Sequence, residues 1–316
     1  MAALPELRSP TIDAIEAAVV AKEVRKQDGV VRLSAIGKCE RDLFYRFRWA
    51  RPPEVFEARI LRLFETGNIE EARMIAWLQG AGVDVLDRDP ATDDQWEVSE
   101  YGGHAVGHLD GICTRIIEAP AARHLLECKT HNAKSFAQLV KHGVAISKPE
   151  HYAQMQAYMR LKGLTRAFYL AKNKDTDELH AERVAFDPEE AERLSAKAWR
   201  VITTHRAPPR LSEDPDSFLC RFCPSHGVCH GGAWAPRNCR TCLNSEVVLD
   251  APDARWRCVA RGVVLDREAQ ERGCPSHLFL PSLVPGEQID ADAKAGTVTY
   301  RLPGGEVWTD GLREAA

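Results

Sequence analysis

Apolar and polar positions along this chain follow two periods, and each change of period marks an element. Positions 10–27 carry a polar amphipathic pattern that predicts a helix. Ser34 to Tyr45 reads as a cap and a helix that ends before Pro52-Pro53. Apolar spacing through Met74, Ile75, Trp77 and Leu78 predicts a helix over 58–80, stopped by Gly80-Ala81-Gly82. Val83–Leu86, Gln95–Tyr101, Ala105–Cys113 and His124–Thr130 read as strands. Helices are expected at 134–142 and 149–162. A hairpin follows, with strands 166–172 and 178–186 joined through Asn173-Lys174-Asp175-Thr176, and a helix over 188–206 ends before Pro208-Pro209. Helix, strand meander, helices and strands in this order predict an α/β fold, a mixed central sheet flanked by helices.

The composition shifts at Pro208. Beyond it the chain is rich in Cys, Pro and Gly and has only short strand signals. Residues 236–316 are therefore expected to form a separate small module, distinct from a domain spanning 1–235. A module of that size buries little apolar surface and calls for a staple.

Within the strand meander, Asp110 follows Gly107-His108-Leu109, and Glu127 and Lys129 flank Cys128. Side chains alternate along a strand, so Glu127 and Lys129 share a face. Two carboxylates meeting across adjacent strands suit a hard cation such as Mg²⁺. A lysine beside that ion can orient a water or neutralise charge on a phosphate. A solvated strand face shows the same alternation, so the company of the motif decides. Upstream, Gly67-x-x-x-Glu71 lies on the helix 58–80. Downstream, Gln154 and Tyr158 lie four apart and share one face of the helix 149–162.

Taken in order, Gly-x-x-x-Glu, a strand Asp, Glu-x-Lys and Gln-x-x-x-Tyr resemble the RecB-like branch of the PD-(D/E)XK nucleases over roughly residues 34–206. The resemblance implies a restriction-endonuclease-like core. It implies Mg²⁺ or Mn²⁺ held by Glu71, Asp110 and Glu127, with Glu70 a competing candidate for the helix ligand. It also implies a catalytic Lys129, and Gln154 and Tyr158 organising the site and touching DNA. Many relatives carry His where this chain has Glu71. Lys134, Lys148 and Lys172 are candidates to line a DNA groove, along with Lys141 and Lys174, and Tyr152 to stack on a base. His108 shares a strand face with Asp110 and is a candidate to support it.

Eight of the 10 cysteines fall into two groups. The first is Cys220-x-x-Cys223-x5-Cys229, whose fourth ligand is His226, His230 or the distant Cys39. A lone Cys before the core and this spacing after it look like the iron–sulfur nucleases, which include the AddB nuclease domain and the CRISPR-associated RecB-like nucleases. That resemblance implies a structural 4Fe–4S cluster on Cys39, Cys220, Cys223 and Cys229. The second group, Cys239-x-x-Cys242, Cys258 and Cys274-x-x-His277, suggests a zinc ribbon with Cys274 or His277 as fourth ligand. Cys113 and Cys128 read as small buried hydrophobes.

With 316 residues and 44% hydrophobic content the chain can bury a large core, and a net charge of −4 argues against a protein that coats DNA non-specifically. No apolar run has the length of a membrane span or a secretory signal, so a soluble cytoplasmic protein with no membrane association is expected. The expected function is a metal-dependent DNA nuclease, an exonuclease or flap-type enzyme of recombination or DNA processing, with DNA and recombination or helicase proteins as partners. A bacterial or phage source fits the resemblance. The rival reading is a catalytically silent nucleic-acid-binding or assembly protein on the same fold.

Overall fold

Proline in the first turn and Asp13 close behind it start the first helix, α1 (Pro10–Ala21). The structure is a computed structural model that describes residues 9–23, 27 and 29–311; the helix expected over 10–27 ends at Ala21, and residues 24–26 of that span lie outside the described residues. Strand β1 (Val31–Arg32) leads through a 3-10 turn into α2 (Glu40–Phe47), whose Leu43, Phe44, Tyr45 and Phe47 are buried. Helix α3 (Ala58–Gly80) has the bounds its apolar spacing predicts and is anchored by buried Met74 and Ile75.

Strands β2 (Asp84–Leu86), β3 (Glu97–Glu100), β4 (Ala105–His108), β5 (Gly111–Thr114) and β6 (His124–His131) follow. The single strand expected over 105–113 is thus two strands. The chain changes sheets between them: β4 pairs with β1 and β3, while β5 pairs with β2 and β6. Leu109 and Asp110 form the break.

Helix α4 (Ala133–Ser147) starts on Asn132, whose side chain accepts from the Ser135 amide at 2.8 Å. It is interrupted at Gly143, whose φ of 71° suits a residue without a Cβ. Helix α5 (Pro149–Lys162) starts on proline and ends on left-handed Gly163. Strands β7 (Arg166–Asn173) and β8 (Leu179–Ala185) form the expected hairpin, and α6 (Pro188–Thr203) is capped by Asp187.

The main sheet runs β2-β5-β6-β7-β8 and is mixed, with only β6 and β7 parallel. A parallel pair needs a crossover, and α4 with α5 supplies it. Leu126, Cys128, Phe168 and Leu170 pack with Met74 and Ile75 of α3 on one face. Leu125, Ala167, Tyr169 and Ala171 pack with α5 and α6 on the other. Seven consecutive residues of α5, Ala153 to Met159, are buried, so this helix is enclosed on all sides.

Beyond α6 lie α7 (His226–Cys229), β9 (Ser245–Val247), β10 (Trp256–Cys258), β11 (Val263–Leu265), α8 (Arg267–Arg272), β12 (Glu287–Asp292), β13 (Thr297–Arg301) and β14 (Val307–Asp310). They build two small antiparallel sheets, β11-β10-β9 and β12-β13-β14. The segment expected as a separate 236–316 module packs on the residues before it. Trp256, Leu265, Phe279, Leu280, Leu283, Val298 and Tyr300 belong to the same continuous core as Phe44, Phe47 and Ile36. Arg240, between two cysteines of the second group, enters that core with 3% of its surface exposed. Its guanidinium donates to Phe47 O at 3.0 Å, Gly29 O at 2.9 Å and Gln270 Oε1 at 2.8 Å. It also lies over the rings of Trp49 and Trp256, at 4.0 and 4.7 Å. Arg48, equally buried, donates to Thr204 O at 2.7 Å and lies over Trp256 at 5.0 Å. The small size of the segment is met by docking on the larger core rather than by a core of its own.

Candidate active site

Strand β5 begins at Gly111, opposite Leu126, so β6 runs on from Glu127 to His131 with no partner on the β5 side. The sheet forks there, and Asp110 sits at the crotch. Its Oδ2 accepts the Cys128 amide at 2.7 Å, which satisfies a backbone donor that the ladder would otherwise leave open.

Glu127 and Lys129 share the α5 face of β6, as alternation requires. Glu127 is fully buried and its carboxylate is ion-paired with Lys129, while Lys129 Nζ lies 3.9 Å from Asp110 Oδ2. From α5, Gln154 Nε2 donates to Glu127 Oε2 at 2.9 Å. Tyr158, one turn further, lies against Gly107, where a Cβ would collide with its Cε1 and Cζ. The bare strand position is what lets the helix come this close.

Glu71 completes the group from α3. Burial, reinforced by Asp110 and opposed by Lys129, raises its carboxyl to about 7. Burial raises Glu127 to about 8; Lys129 opposes the shift, while Asp110 and Glu71 add to it. Burial alone would lower Lys129, but Glu127 and Asp110 outweigh it and hold the ammonium above the ordinary lysine value. Three carboxylates therefore share one cation. This crowding of negative charge fits a site that takes a divalent ion. As it stands, Lys129 lies against Glu127, and among the described residues no group of three or more His, Cys, Asp and Glu side chains is drawn together as a ligand set.

The competing candidate, Glu70, is engaged elsewhere. It accepts from Lys172 Nζ at 2.8 Å and from Arg73 Nη1 at 2.7 Å, and the Lys172 hydrogen bond holds it below the ordinary carboxylate range. Lys172 was expected to meet DNA. It is instead buried, with its ammonium held by Glu70 and by Asp177 at 2.6 Å, so it is a structural ion pair. Tyr152 was expected to stack on a base. It is packed against the main core and faces Asp187 and Gln156, away from the fork. His108 points away too, its Nε2 3.4 Å from Glu97 of the neighbouring strand. Lys134, Lys141 and Lys174 are exposed, and Lys148 is half-buried at the start of α5.

The sequence reading passed over three residues beside the fork. His131 continues the Glu127–Lys129 face by one more alternation, His151 precedes Gln154 on α5, and Tyr169 lies opposite Glu127 on β7. His131 Nε2 and His151 Nδ1 both bond Tyr169 Oη, at 2.9 and 2.8 Å. Extending the strand alternation past Thr130 would have found the first of them.

The two cysteine groups each gather around one cavity. Cys39, Cys220, Cys223 and Cys229 line a space of about 20 Å³ with Asp42 and Tyr45. Burial and the adjacent Asp42 carboxylate push the Cys223 thiol up to about 11. Cys239, Cys242, Cys258 and Cys274 line a second, open cavity of about 260 Å³ with His277. The Asn244 amide donates to Cys242 Sγ at 3.4 Å. His277 Nε2 bonds Thr241 Oγ1 at 3.1 Å, and its buried Nδ1 has no partner among the described residues. Cys113 and Cys128 are buried, and burial raises both thiols.

No helix among the described residues is long and apolar enough to cross a membrane. No family model and no curated relative matches the sequence. Among solved structures, the chain is similar to SSO0001, with 14% identity, TM-score 0.41, and coverage of 70% of this chain and 97% of that one. It is also similar to the alkaline exonuclease LHK-Exo from Laribacter hongkongensis, with 15% identity, TM-score 0.40, and coverage of 60% and 90%. The same enzyme in complex with dAMP gives 16% identity at the same TM-score and coverage.

Proposed function

We propose that this chain is a divalent-metal-dependent DNA nuclease of the RecB-like PD-(D/E)XK type. The observation that carries the reading is the meeting of Glu71, Asp110, Glu127 and Lys129 at a fork in a mixed sheet. Glu71, Asp110 and Glu127 would hold Mg²⁺ or Mn²⁺; when bound, the ion supplies Lewis-acid polarisation of the phosphate and a water activated for attack. Gln154 fixes the Glu127 carboxylate. Lys129, released from Glu127, orients the water and neutralises charge that develops on the phosphate. Lys134 and Lys148 would meet the DNA backbone. An exonuclease working in the cytoplasm with recombination or helicase proteins is the biological form of this reading.

The cysteine groups are proposed as metal staples. Four thiolates at Cys39, Cys220, Cys223 and Cys229 suit iron–sulfur or zinc. The resemblance implies a 4Fe–4S cluster, and a zinc ion on the same group is the alternative. Air-free purification decides: a brown protein with acid-labile sulfide supports the cluster, and a colourless protein with zinc there supports the ion. For Cys239, Cys242, Cys258 and Cys274 we propose zinc, with His277 the alternate ligand.

The functional test is a time course of Mg²⁺-dependent release from 5′- and 3′-labelled single- and double-stranded DNA, with circular controls. Wild type should cut, and folded Glu127→Ala and Lys129→Ala should not. Near-wild-type cutting by folded Glu127→Ala would overturn the assignment. No cutting by wild type at any divalent ion would favour the silent binding protein.

A further inference from the structure

A chain of four polar side chains runs through the core beside the fork. Ser135 Oγ lies 3.2 Å from His131 Nδ1, His131 Nε2 lies 2.9 Å from Tyr169 Oη, and Tyr169 Oη lies 2.8 Å from His151 Nδ1. The four residues come from α4, β6, β7 and α5. Tyr169 is fully buried and His131 nearly so, whereas His151 is half-buried. Buried polar groups are costly unless each finds a partner, and here each inner atom has one. The outer nitrogen of His151, Nε2, has none among the described residues. His151 lies one turn before Gln154 on α5, on the face that carries the Glu127 contact.

We propose that His151 is a substrate-contacting residue that donates its Nε2–H to a phosphate oxygen of the nucleic acid next to the cleaved linkage, and that His131 and Tyr169 position it. The inference rests on the nucleic-acid reading above and adds a residue to it. The hydrogen bonds can all run one way: Ser135 to His131, His131 to Tyr169, Tyr169 to His151, and His151 to the phosphate. In that arrangement every donor meets an acceptor and the His151 Nε2–H is left for a ligand. Burial first, then Lys129, His131 and Lys148, push His151 down to about 3, so the ring stays neutral beside Lys129. A neutral donor adds direction without adding another cation to a place that already holds Lys129 and Lys148.

The test compares His151→Ala, His151→Gln, Tyr169→Phe and Lys148→Ala in the full-length protein. Binding of a labelled oligonucleotide is read with Ca²⁺ present, and cleavage is read with Mg²⁺. His151→Ala should weaken binding roughly tenfold, the size expected for one lost bond to a charged acceptor. His151→Gln, which keeps an N–H donor, should recover part of the loss. Tyr169→Phe should weaken binding in the same direction, and adding it to His151→Ala should cost nothing further. The salt dependence separates this contact from an ionic one. Lys148→Ala should reduce the log–log salt slope by roughly one, whereas His151→Ala should lower affinity at every salt concentration and leave the slope unchanged. Equal affinity of wild type and His151→Ala, with both folded, overturns the proposal. So does a changed salt slope for His151→Ala. A wild type that binds DNA with the predicted His151 dependence yet never cuts it would overturn the nuclease reading and leave this contact standing.

Discussion

Gln154 donates its side-chain amide to Glu127 across 2.9 Å, from an enclosed helix to a fully buried carboxylate. Among the described residues nothing else is hydrogen-bonded to that oxygen, so α5 and the Lys129 ion pair together set the geometry of the candidate ligand. Gln154→Ala should therefore lower Mn²⁺ affinity about 10- to 100-fold, the usual effect of losing a partner of a metal ligand. Titration calorimetry on the folded variant checks this. Unchanged Mn²⁺ affinity would mean that Glu127 is not a ligand.

Proton linkage follows from the crowded carboxylates. Glu71 and Glu127 are raised to about 7 and about 8, chiefly by burial. Below pH 6 both hold protons that a divalent ion must displace; above pH 8.5 both are ionised. Metal affinity should climb with pH across that window, and binding near pH 7 should release protons. Calorimetry in buffers of different ionisation enthalpy measures the release directly. A flat affinity from pH 6 to 8.5 would contradict the assignment.

Gly67 lies in the middle of α3, one turn before Glu71, and a Cβ there would meet nothing within 4 Å. Neither packing nor a left-handed backbone requires glycine. Gly67→Ala should raise stability by about 0.5–1 kcal/mol, the helix-propensity difference. If substrate passes over this turn, the same change should raise KM. Thermal melts and steady-state kinetics on one preparation test both. A variant that is both more stable and kinetically unchanged would show that the gap is not a substrate path.

Arg240 ties the C-terminal sheets to the first core. Arg240→Ala would leave the carbonyls of Phe47 and Gly29 and the amide of Gln270 without their donor, and should cost about 3–5 kcal/mol. Truncation near Asn238 should expose Phe47, Arg48 and Trp49 and destabilise the whole chain. A single unfolding transition in the intact protein, and an insoluble or molten fragment after truncation, are the expected results. A well-folded 1–237 fragment would restore the two-module description.

Much of the scaffold was legible in the residue pattern. The bounds of α3 and α5 follow from apolar spacing, Pro149 and the glycines at 80, 82 and 163, all of which act locally. The face shared by Glu127 and Lys129 follows from alternation alone. The fork did not, because Ala105–Cys113 alternates well enough to pass for one strand, and only pairing partners in two sheets divide it. Lys172 misled for a related reason. A charged residue reads as exposed until a partner such as Glu70, some hundred residues away, is brought to it by the fold. The division at 235 follows a change in composition, whereas the buried cluster has residues on both sides of it.

Gly107 and Tyr158 behave as a single position spread over two elements. Any side chain at 107 collides with the ring at 158, so the two sites cannot drift independently. The order of change is fixed as well: the ring must shrink before the glycine can be replaced, and the intermediate carries a hole beside Glu127. Laboratory evolution of this chain toward altered substrates should therefore reach position 107 late or never, and should find its first variants among residues whose neighbours leave them room.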